Sequence, residues 1–597
     1  GKGLLVVPLV IVVLGAALVG AGVFLTGKAK PSVPKRAILE LDLERAIPEA
    51  APENPFAVFG GEKAFTLRDV VDGLEKAGDD PHVVGLVARL GAAPLGVAEI
   101  QEIRDAVKAF RAKKKFAVAY AETFGEFAPG NGSYYLATAF DEIWLQPSGD
   151  VGLNGLVGES PFLRGTLDKL GVKPEFGQRH EFKNAMNLYT ETKFTDAHRE
   201  ATRTLLESIY GQMVKGIAEG RKMTEADVRA LVDRGPFLGP EALEAKLVDG
   251  LAYRDEVLAK LRAKGGTDSK LFGLPAYLKR EGRPHAEGKR TIALVYGVGN
   301  VVRGRSSGNP VTGGQTMGSE TVAKAIRTAV EDRDVAAILF RVSSPGGSYV
   351  ASDTIWREVV LARKAGKPVI ISMGDVAASG GYFVSIPATK IVAQPGTITA
   401  SIGVLAGKMV TPAMWEKVGL TFDQVEVGAN ANMWNASRSF SPAEWARFNA
   451  WLDRIYDDFT SKVAEGRKLP KEKVLEIAKG RVWTGEDAKG LGLVDELGGF
   501  PTALKLAKEA AKIPAGEKVK VAVFPRERTP YEELAAKISG EEEGESSFTA
   551  LVRLVEPDEV VQGAYDWELA RRVYEDPDDL AKLERYFLEQ GLPPELT

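Results

Sequence analysis

Two glycine-rich loops in the C-terminal half contain the residues best suited to covalent chemistry. They occupy residues 343–347 (SSPGG) and 377–382 (AASGGY). Glycine lets a backbone turn sharply and approach a ligand closely, and two such loops can point two N–H groups at one oxygen. We expect the amides of Gly347 and Gly380 to form this oxyanion hole, with Ser379 placed to attack the carbonyl they hold. Each loop alone also fits a tight turn before a helix; the pair favours the chemical interpretation.

Ser379 needs a base, because a serine hydroxyl is a poor nucleophile near neutral pH. The chain has four histidines, and none lies beyond His285. The remaining candidates are a carboxylate, a histidine from the N-terminal half, or a lysine. The pKa of a lysine must fall by roughly 3 before the amine acts as a base near neutral pH, which corresponds to a free-energy change of about 4 kcal/mol. Burial in an apolar pocket can supply such a change.

The composition excludes several other kinds of chemistry. None of the 597 residues is a cysteine, which removes thiol nucleophiles, disulfides and thiolate metal sites. The net charge is −4 and no basic stripe stands out, so a nucleic-acid partner is not expected. The sequence predicts neither a cofactor nor a metal ion.

Both loops follow segments that have the character of buried strands. Short apolar, β-branched runs occupy residues 291–296, 335–342, 368–373 and 390–393. Between them, Ile355, Val359 and Ala362 keep helical spacing. Alternating strands and helices predict βαβ units around a largely parallel sheet, and therefore an α/β fold.

The chain also repeats itself. The sequence AEGRK occurs at 218–222 and again at 464–468, and IWLQP at 143–147 corresponds to IVAQP at 391–395. We therefore predict a domain duplication. The predicted parts are an anchor (1–30), a first α/β repeat (31–265), a linker (266–289), a second α/β repeat (290–515) and an acidic helical extension (516–597).

The N-terminus predicts a membrane anchor. Residues 4–25 carry no charge, and this stretch is long enough for a helix to cross a bilayer. A retained transmembrane helix is the preferred interpretation, with a cleaved signal peptide or a buried helix as alternatives. Positive charges at Lys28, Lys30, Lys35 and Arg36 argue mildly against export of the C-terminal bulk of the chain.

Four segments together resemble the signal peptide peptidase A (protease IV) family in its long, two-repeat form. They are residues 344–347, 377–382, 397–404 and the paired stretches 481–485 and 493–495. The resemblance implies two Clp protease/crotonase-like repeats and a serine endopeptidase with a Ser–Lys dyad, assembled as a homotetramer. It also implies a single-pass protein of the bacterial inner (cytoplasmic) membrane with a periplasmic catalytic domain. The implied substrates are remnant signal peptides and other hydrophobic peptides.

In the long form of this family the lysine comes from the first repeat. Alignment of the two repeats sets Asn131 opposite Ser379, so the first repeat lacks the nucleophile. Lys183 lies in the first repeat, and the matching residues 429–431 (ANA) of the second contain no lysine. The resemblance and the complementary losses predict one composite site, with Lys183 as the base for Ser379.

Four further positions are compared with the family pattern. Ser401 matches a serine that is expected to hydrogen-bond and orient the lysine. The family typically has glycine at the position of Ala400, which puts the geometry of that loop in question. It usually has tyrosine and serine on either side of the lysine, and the differences at Phe182 and Asn184 put the neighbours in question more than Lys183 itself.

Two rival functions remain open. A crotonase-like acyl-CoA enzyme would use two backbone N–H donors to hold a thioester enolate, and it would not need Ser379. A catalytically inactive membrane scaffold would use the repeats for assembly only.

Overall fold

The apolar runs of the N-terminal half form a six-stranded, wholly parallel sheet. Its strands are β1 (Ala37–Leu43), β2 (Val83–Leu90), β3 (Phe116–Ala121), β4 (Glu142–Leu145), β8 (Gly250–Leu251) and β9 (Lys270–Gly273). They lie in the order β8-β4-β3-β2-β1-β9. A separate antiparallel pair consists of β5 (Asp150–Val151) and β7 (Phe237–Leu238).

Helices cover this sheet and extend beyond it. They are α1 (Leu67–Asp79), α2 (Val97–Ala112), α3 (Asn131–Ala137), α4 (Arg164–Leu170), α5 (Asn187–Thr190), α6 (Asp196–Arg221), α7 (Glu225–Arg234), α8 (Gly239–Glu244), α9 (Arg254–Gly265) and α10 (Leu274–Glu281). A short 3₁₀ turn, Asn184–Met186, precedes α5.

The C-terminal half forms a second sheet of eight strands. They are β10 (Arg290–Val298), β13 (Val335–Ser344), β14 (Val369–Ala378), β15 (Lys390–Ala393), β16 (Ile398–Ala400), β18 (Val482–Thr484), β19 (Glu496–Leu497) and β20 (Val519–Phe524). The main order is β18-β16-β14-β13-β10-β20, and β15 joins β14 to β19. All pairs are parallel except β16 with β18. The predicted α/β class with largely parallel sheets is confirmed.

Helices alternate with the strands of this half as well. They are α11 (Ser319–Glu331), α12 (Tyr349–Lys364), α13 (Gly380–Ser385), α14 (Pro412–Glu416), α15 (Pro442–Arg467), α16 (Lys471–Ile477), α17 (Gly485–Gly490) and α18 (Phe500–Ala510). A small parallel pair contains β11 (Asn300–Val302) and β12 (Thr316–Gly318).

Strand β13 shows why the sequences of the sheet strands are continuous apolar runs. Ile338 and Phe340 belong to a core cluster shared with α11 and α12, while Leu339 belongs to the opposite cluster, which contains residues of α18. Because helices cover both faces of a parallel sheet, alternation of polar and apolar residues is lost.

One strand pair connects the two halves near the predicted site. Strand β6 (Lys173–Arg179) comes from the N-terminal half and pairs antiparallel with β17 (Val404–Val410) from the C-terminal half. The register sets Arg179 opposite Val404. This pairing brings the segment that contains Lys183 beside the segment that contains Ser401.

The same side-chain contacts recur in both halves, in keeping with the internal repetition of the sequence. The hydroxyl of Tyr134 donates to Leu247 O at 2.7 Å, and that of Tyr382 donates to Leu493 O at 2.9 Å. Two arginine–aspartate ion pairs also correspond, each at 2.8 Å: Arg221–Asp249 and Arg467–Asp495. Tyr382 thus has a structural contact, as its counterpart does.

The structure, a computed structural model, describes residues 32–51, 64–91, 95–308 and 314–525. Within these ranges no helix is long and apolar enough to span a membrane. The predicted anchor and most of the predicted acidic extension lie outside the described residues, so the domain limits stay a prediction. The segment 266–289, predicted as a linker, contributes β9 to the first sheet and contains α10, because Leu274 and Tyr277 are buried. Likewise β20, beyond residue 515, belongs to the second sheet.

Candidate active site

Ser379 occupies a sharp turn between β14 and α13. Its backbone has φ 53° and ψ −116°, a left-handed conformation that is costly for a residue with a Cβ. The turn is fixed on both sides, because Ser379 N donates to Ala400 O and Ser379 O accepts from Phe383 N, each at 2.8 Å. A strained residue held in this way at the end of a parallel strand presents its side chain at the edge of the sheet, where ligands of α/β proteins bind.

The two predicted glycine loops lie against each other. Gly346 (φ 102°) has no room for a side chain, since a Cβ there would lie 2.6 Å from Gly380 N and 2.7 Å from Ser379 Cβ. A Cβ on Gly347 (φ 153°) would lie 2.2 Å from Val301 O. Only glycine permits this close approach of backbone to backbone.

The amides of Gly347 and Gly380 are both available to a ligand. Among the described residues neither N–H group donates a hydrogen bond. For Gly380 this follows from its place at the start of α13, since the first N–H groups of a helix have no partner within it. Two unsatisfied donors beside one serine are the arrangement that stabilises a developing oxyanion.

Lys183 reaches Ser379 directly. Its Nζ lies 3.0 Å from Ser379 Oγ, 2.9 Å from Ser401 Oγ and 2.7 Å from Ser401 O. Of the residues that the structure describes, Lys183 alone hydrogen-bonds the hydroxyl of Ser379. Neither a carboxylate nor a histidine, the alternatives left open by the sequence, hydrogen-bonds this hydroxyl within the described ranges.

The environment of Lys183 suits a neutral amine. The residue is 7% exposed, and burial lowers the pKa of its amine to about 7, with no charged neighbour among the causes. A neutral amine has two N–H donors and one lone pair. Donation to the two oxygens of Ser401 leaves the lone pair for the Ser379 hydroxyl proton, and Ser401 Oγ can itself donate to Gly480 O at 3.5 Å.

The turn that carries Ser401 is built from unusual backbone. Ala400 has φ 64° and Ser401 has φ 51°, so both lie in the region that favours glycine. Ser401 N donates to Arg481 O at 2.9 Å. This explains physically why glycine suits the position of Ala400, and the alanine here adopts the left-handed conformation nonetheless.

Gly480 was not predicted from the sequence, and it packs against the backbone and Cβ of Lys183. Its φ is 83°, and a Cβ there would lie 2.4 Å from both N and Cβ of Lys183. The neighbouring carbonyl of Lys479 accepts from Phe182 N at 3.2 Å. The only sequence feature that could have indicated Gly480 is its position directly before Arg481, where a segment that resembles the family begins.

In the first repeat Asn131 occupies the position that matches Ser379, and its side chain makes structural hydrogen bonds. The side-chain oxygen of Asn131 accepts from Asn154 N at 3.1 Å and from Gly155 N at 3.2 Å. Its amide nitrogen donates to Gly155 O at 2.9 Å. Asn131 therefore ties two loops of its own half together. The structure brings together every predicted site residue, namely Ser379, Lys183, Ser401, Gly347 and Gly380.

An α/β protein with a serine hydroxyl, a buried amine and two free backbone amides in one place has the architecture of a serine hydrolase. Comparison with known proteins identifies the family. The family model described as peptidase family S49 matches residues 109–267 and 361–514. The chain belongs to peptidase family S49 and is a serine peptidase similar to signal peptide peptidases.

Curated relatives match most of the chain. A chloroplastic serine protease, SPPA, from Arabidopsis thaliana is 31% identical over 481 residues, covering 79% of this chain and 70% of the relative. Protease 4 of Salmonella typhi is 32% identical over 461 residues, covering 75% and 72%. Protease 4 of Haemophilus influenzae is 32% identical over 466 residues, covering 74% and 72%. The resemblance drawn from the sequence motifs is confirmed.

A solved structure of a ClpP1 mutant from Listeria monocytogenes is 16% identical and has a TM-score of 0.23, covering 36% of this chain and 95% of its own. A score this low does not show a shared fold, and the Clp protease/crotonase-like character of each repeat stays a prediction.

Proposed function

We propose that this chain is a membrane-bound serine endopeptidase that uses Ser379 as nucleophile and Lys183 as general base. The observation that carries the proposal is the 3.0 Å hydrogen bond between Lys183 Nζ and Ser379 Oγ, made by an amine whose pKa burial lowers to about 7. Near neutral pH about half of such amines are neutral and can accept a proton.

The reaction begins when the neutral amine of Lys183 takes the hydroxyl proton as Ser379 Oγ attacks the carbonyl carbon of the peptide bond. The amides of Gly347 and Gly380 donate to the resulting oxyanion. The ammonium of Lys183 then gives its proton to the leaving amine, and an acyl-enzyme remains on Ser379. Water attacks this ester with Lys183 again as base, which releases the second product and restores both groups.

Ser401 serves as the orienting residue for Lys183. Its carbonyl and hydroxyl oxygens lie 2.7 and 2.9 Å from the amine, which fixes the direction of the lone pair. Neither oxygen carries a charge, so this orientation does not raise the pKa of the lysine as a carboxylate partner would.

The proposed substrates are cleaved signal peptides and other hydrophobic peptides near a bilayer. Family membership and the uncharged stretch at 4–25 support this assignment. On the same grounds we propose the bacterial inner membrane as the location, with a periplasmic catalytic part, and a homotetramer as the assembled form. Membrane fractionation and light scattering in detergent test these two points.

The deciding experiment compares peptidase activity on casein and on a synthetic signal peptide across three variants of the full chain. We expect Ser379→Ala and Lys183→Ala each to lose at least about 100-fold in kcat/KM, the scale of a lost nucleophile or general base. Lys193→Ala is the matched control, because Lys193 is exposed and makes no hydrogen bond with the site.

Full activity in Lys183→Ala would refute the dyad even if Ser379 proved essential. Binding of coenzyme A with activity that survives Ser379→Ala would favour the crotonase-like alternative. A wild-type chain without peptidase activity on either substrate would favour the scaffold.

A further inference from the structure

The segment 479–481 contacts the lysine and its orienting serine at the same time. Lys479 O accepts from Phe182 N at 3.2 Å, and Gly480 packs against the backbone of Lys183. Arg481 O accepts from Ser401 N at 2.9 Å. The main chain of this segment therefore holds two residues of the site that come from different halves of the molecule.

The side chain of Arg481 extends this connection onto the N-terminal half. Its Nη1 donates to Glu200 Oε1 at 2.7 Å, and its Nη2 donates to Thr204 Oγ1 at 3.0 Å. Both partners belong to α6. The guanidinium also lies over two aromatic rings, 4.8 Å from the ring centroid of Phe182 and 4.5 Å from that of Trp483.

We propose that Arg481 is a positioning residue for the dyad, which fixes Phe182 and hence the adjoining Lys183 so that its amine stays dry and in contact with Ser379. This inference rests on the proposed function. A planar guanidinium can stack flat on a ring while its fixed fork of N–H groups donates in two directions, whereas a lysine ammonium is a compact charge without a planar face. Phe182 is the residue directly before the base, so its ring transmits any shift of Arg481 to the backbone of Lys183.

A purely electrostatic or purely stabilising role fits the contacts less well. The partner Glu200 has a side chain that is 58% exposed, and ion pairs with so exposed a partner contribute little to stability. Burial accounts for the lowered pKa of Lys183, and no charged residue is among its causes. Arg481 therefore acts on the base through packing that keeps water away from the amine.

The test measures kcat and KM from pH 5.5 to 10 for Arg481→Met, Arg481→Lys and Glu200→Gln. Water that reaches Lys183 should return its pKa towards that of a free lysine. For Arg481→Met and Arg481→Lys we expect the apparent pKa of kcat/KM to rise by at least about one pH unit. This lowers activity at pH 7 at least about fivefold, with most of it recovered above pH 9 and KM little changed. Glu200→Gln keeps the stacking and should shift the profile far less.

Arg221→Met provides the matched control. The side chain of Arg221 is 9% exposed against 14% for Arg481, and it also pairs with an acidic residue, Asp249. It contacts none of the site residues, so its loss should leave the pH profile unchanged.

A uniform fall in kcat at every pH, with the wild-type apparent pKa, would show a merely structural role and overturn the proposal. A wild-type profile in Arg481→Lys would overturn it as well. If Arg481→Met does not fold, Phe182→Ala decides, because removal of the ring must shift the profile in the same direction. Unchanged profiles in these variants, with Ser379→Ala and Lys183→Ala inactive, reject only this inference; activity in Ser379→Ala rejects the proposed function itself.

Discussion

Replacement of Lys183 by methionine should make the protein more stable below neutral pH while it abolishes activity. The lysine is buried without an ionic partner, and burial lowers the pKa of its amine to about 7 from 10.5. Between these two values the unfolded chain binds a proton that the folded chain does not, so stability rises with pH across that window. Below about pH 7 the folded protein must hold a buried ammonium, and the full penalty is present.

The size of this penalty follows from the two pKa values. At about 1.4 kcal/mol per pH unit, the difference between 10.5 and about 7 corresponds to about 5 kcal/mol at pH 6 and about 2 kcal/mol at pH 9. Methionine removes the penalty and also removes hydrogen bonds to Ser379 and Ser401, each worth about 1 kcal/mol. We expect the free energy of unfolding of Lys183→Met to exceed that of wild type by roughly 1–3 kcal/mol at pH 6. At pH 9 this difference should be about 3 kcal/mol smaller.

Urea unfolding followed by tryptophan fluorescence measures this difference on the full chain at both pH values. Lys193→Met is the matched control, because the same change at an exposed position should leave the difference from wild type independent of pH. A Lys183→Met protein that is less stable than wild type at pH 6, or whose difference from wild type is equal at pH 6 and pH 9, refutes a desolvated lysine.

Three further predictions concern the pH dependence of activity, the packing of Gly480 and a partly buried carboxylate. Activity should rise with pH through about 7, the value to which burial lowers the pKa of Lys183, because the ammonium cannot accept a proton; a profile already maximal at pH 5 would contradict this. Gly480→Ala should reduce kcat at least about 100-fold with the fold retained by circular dichroism, because its Cβ would lie 2.4 Å from Lys183. Gly490→Ala, where a Cβ meets nothing within 4 Å, should behave as wild type. Burial raises the pKa of Glu99 to about 7, so between about pH 4.5 and 7 the folded protein binds a proton that the unfolded chain has released. Glu99→Gln should therefore raise the urea midpoint relative to wild type at pH 8 but not at pH 4. Equal effects at the two pH values would contradict a raised pKa of Glu99.

Much of the second sheet could be predicted because its strands are buried on both faces. The run at 335–342 is apolar throughout except for Arg341, and it forms most of β13 with helices on both sides. The boundaries were less predictable. Strand β9 follows a charged, glycine-containing stretch, and only its pairing with β1 gives it a place in the sheet. A short edge strand carries too little apolar periodicity to be recognised before its neighbour is known.

The residues proposed to react could be singled out from the sequence, whereas the residues packed around Lys183 could not. Ser379 and the two donor glycines lie within short motifs that have a direct chemical interpretation. Gly480 and Arg481 make contacts that join residues almost 300 positions apart, as in the hydrogen bond from Arg481 to Glu200. No local pattern encodes such a contact, because it depends on how the two halves are docked.

A dyad divided between two halves of a chain requires that the halves keep a fixed relative position, since proton transfer tolerates little displacement. Strand pairing between β6 and β17 supplies one such constraint. A buried ionic cluster supplies another: Arg341 of β13 donates to Glu49 at 2.7 Å and to Glu102 at 2.8 Å, both from the N-terminal half. Breaking a buried charge pair leaves an uncompensated charge and costs about 3–5 kcal/mol. Sliding of one half past the other is therefore energetically costly, as the proposed composite site requires, since each repeat would supply only one reactive residue.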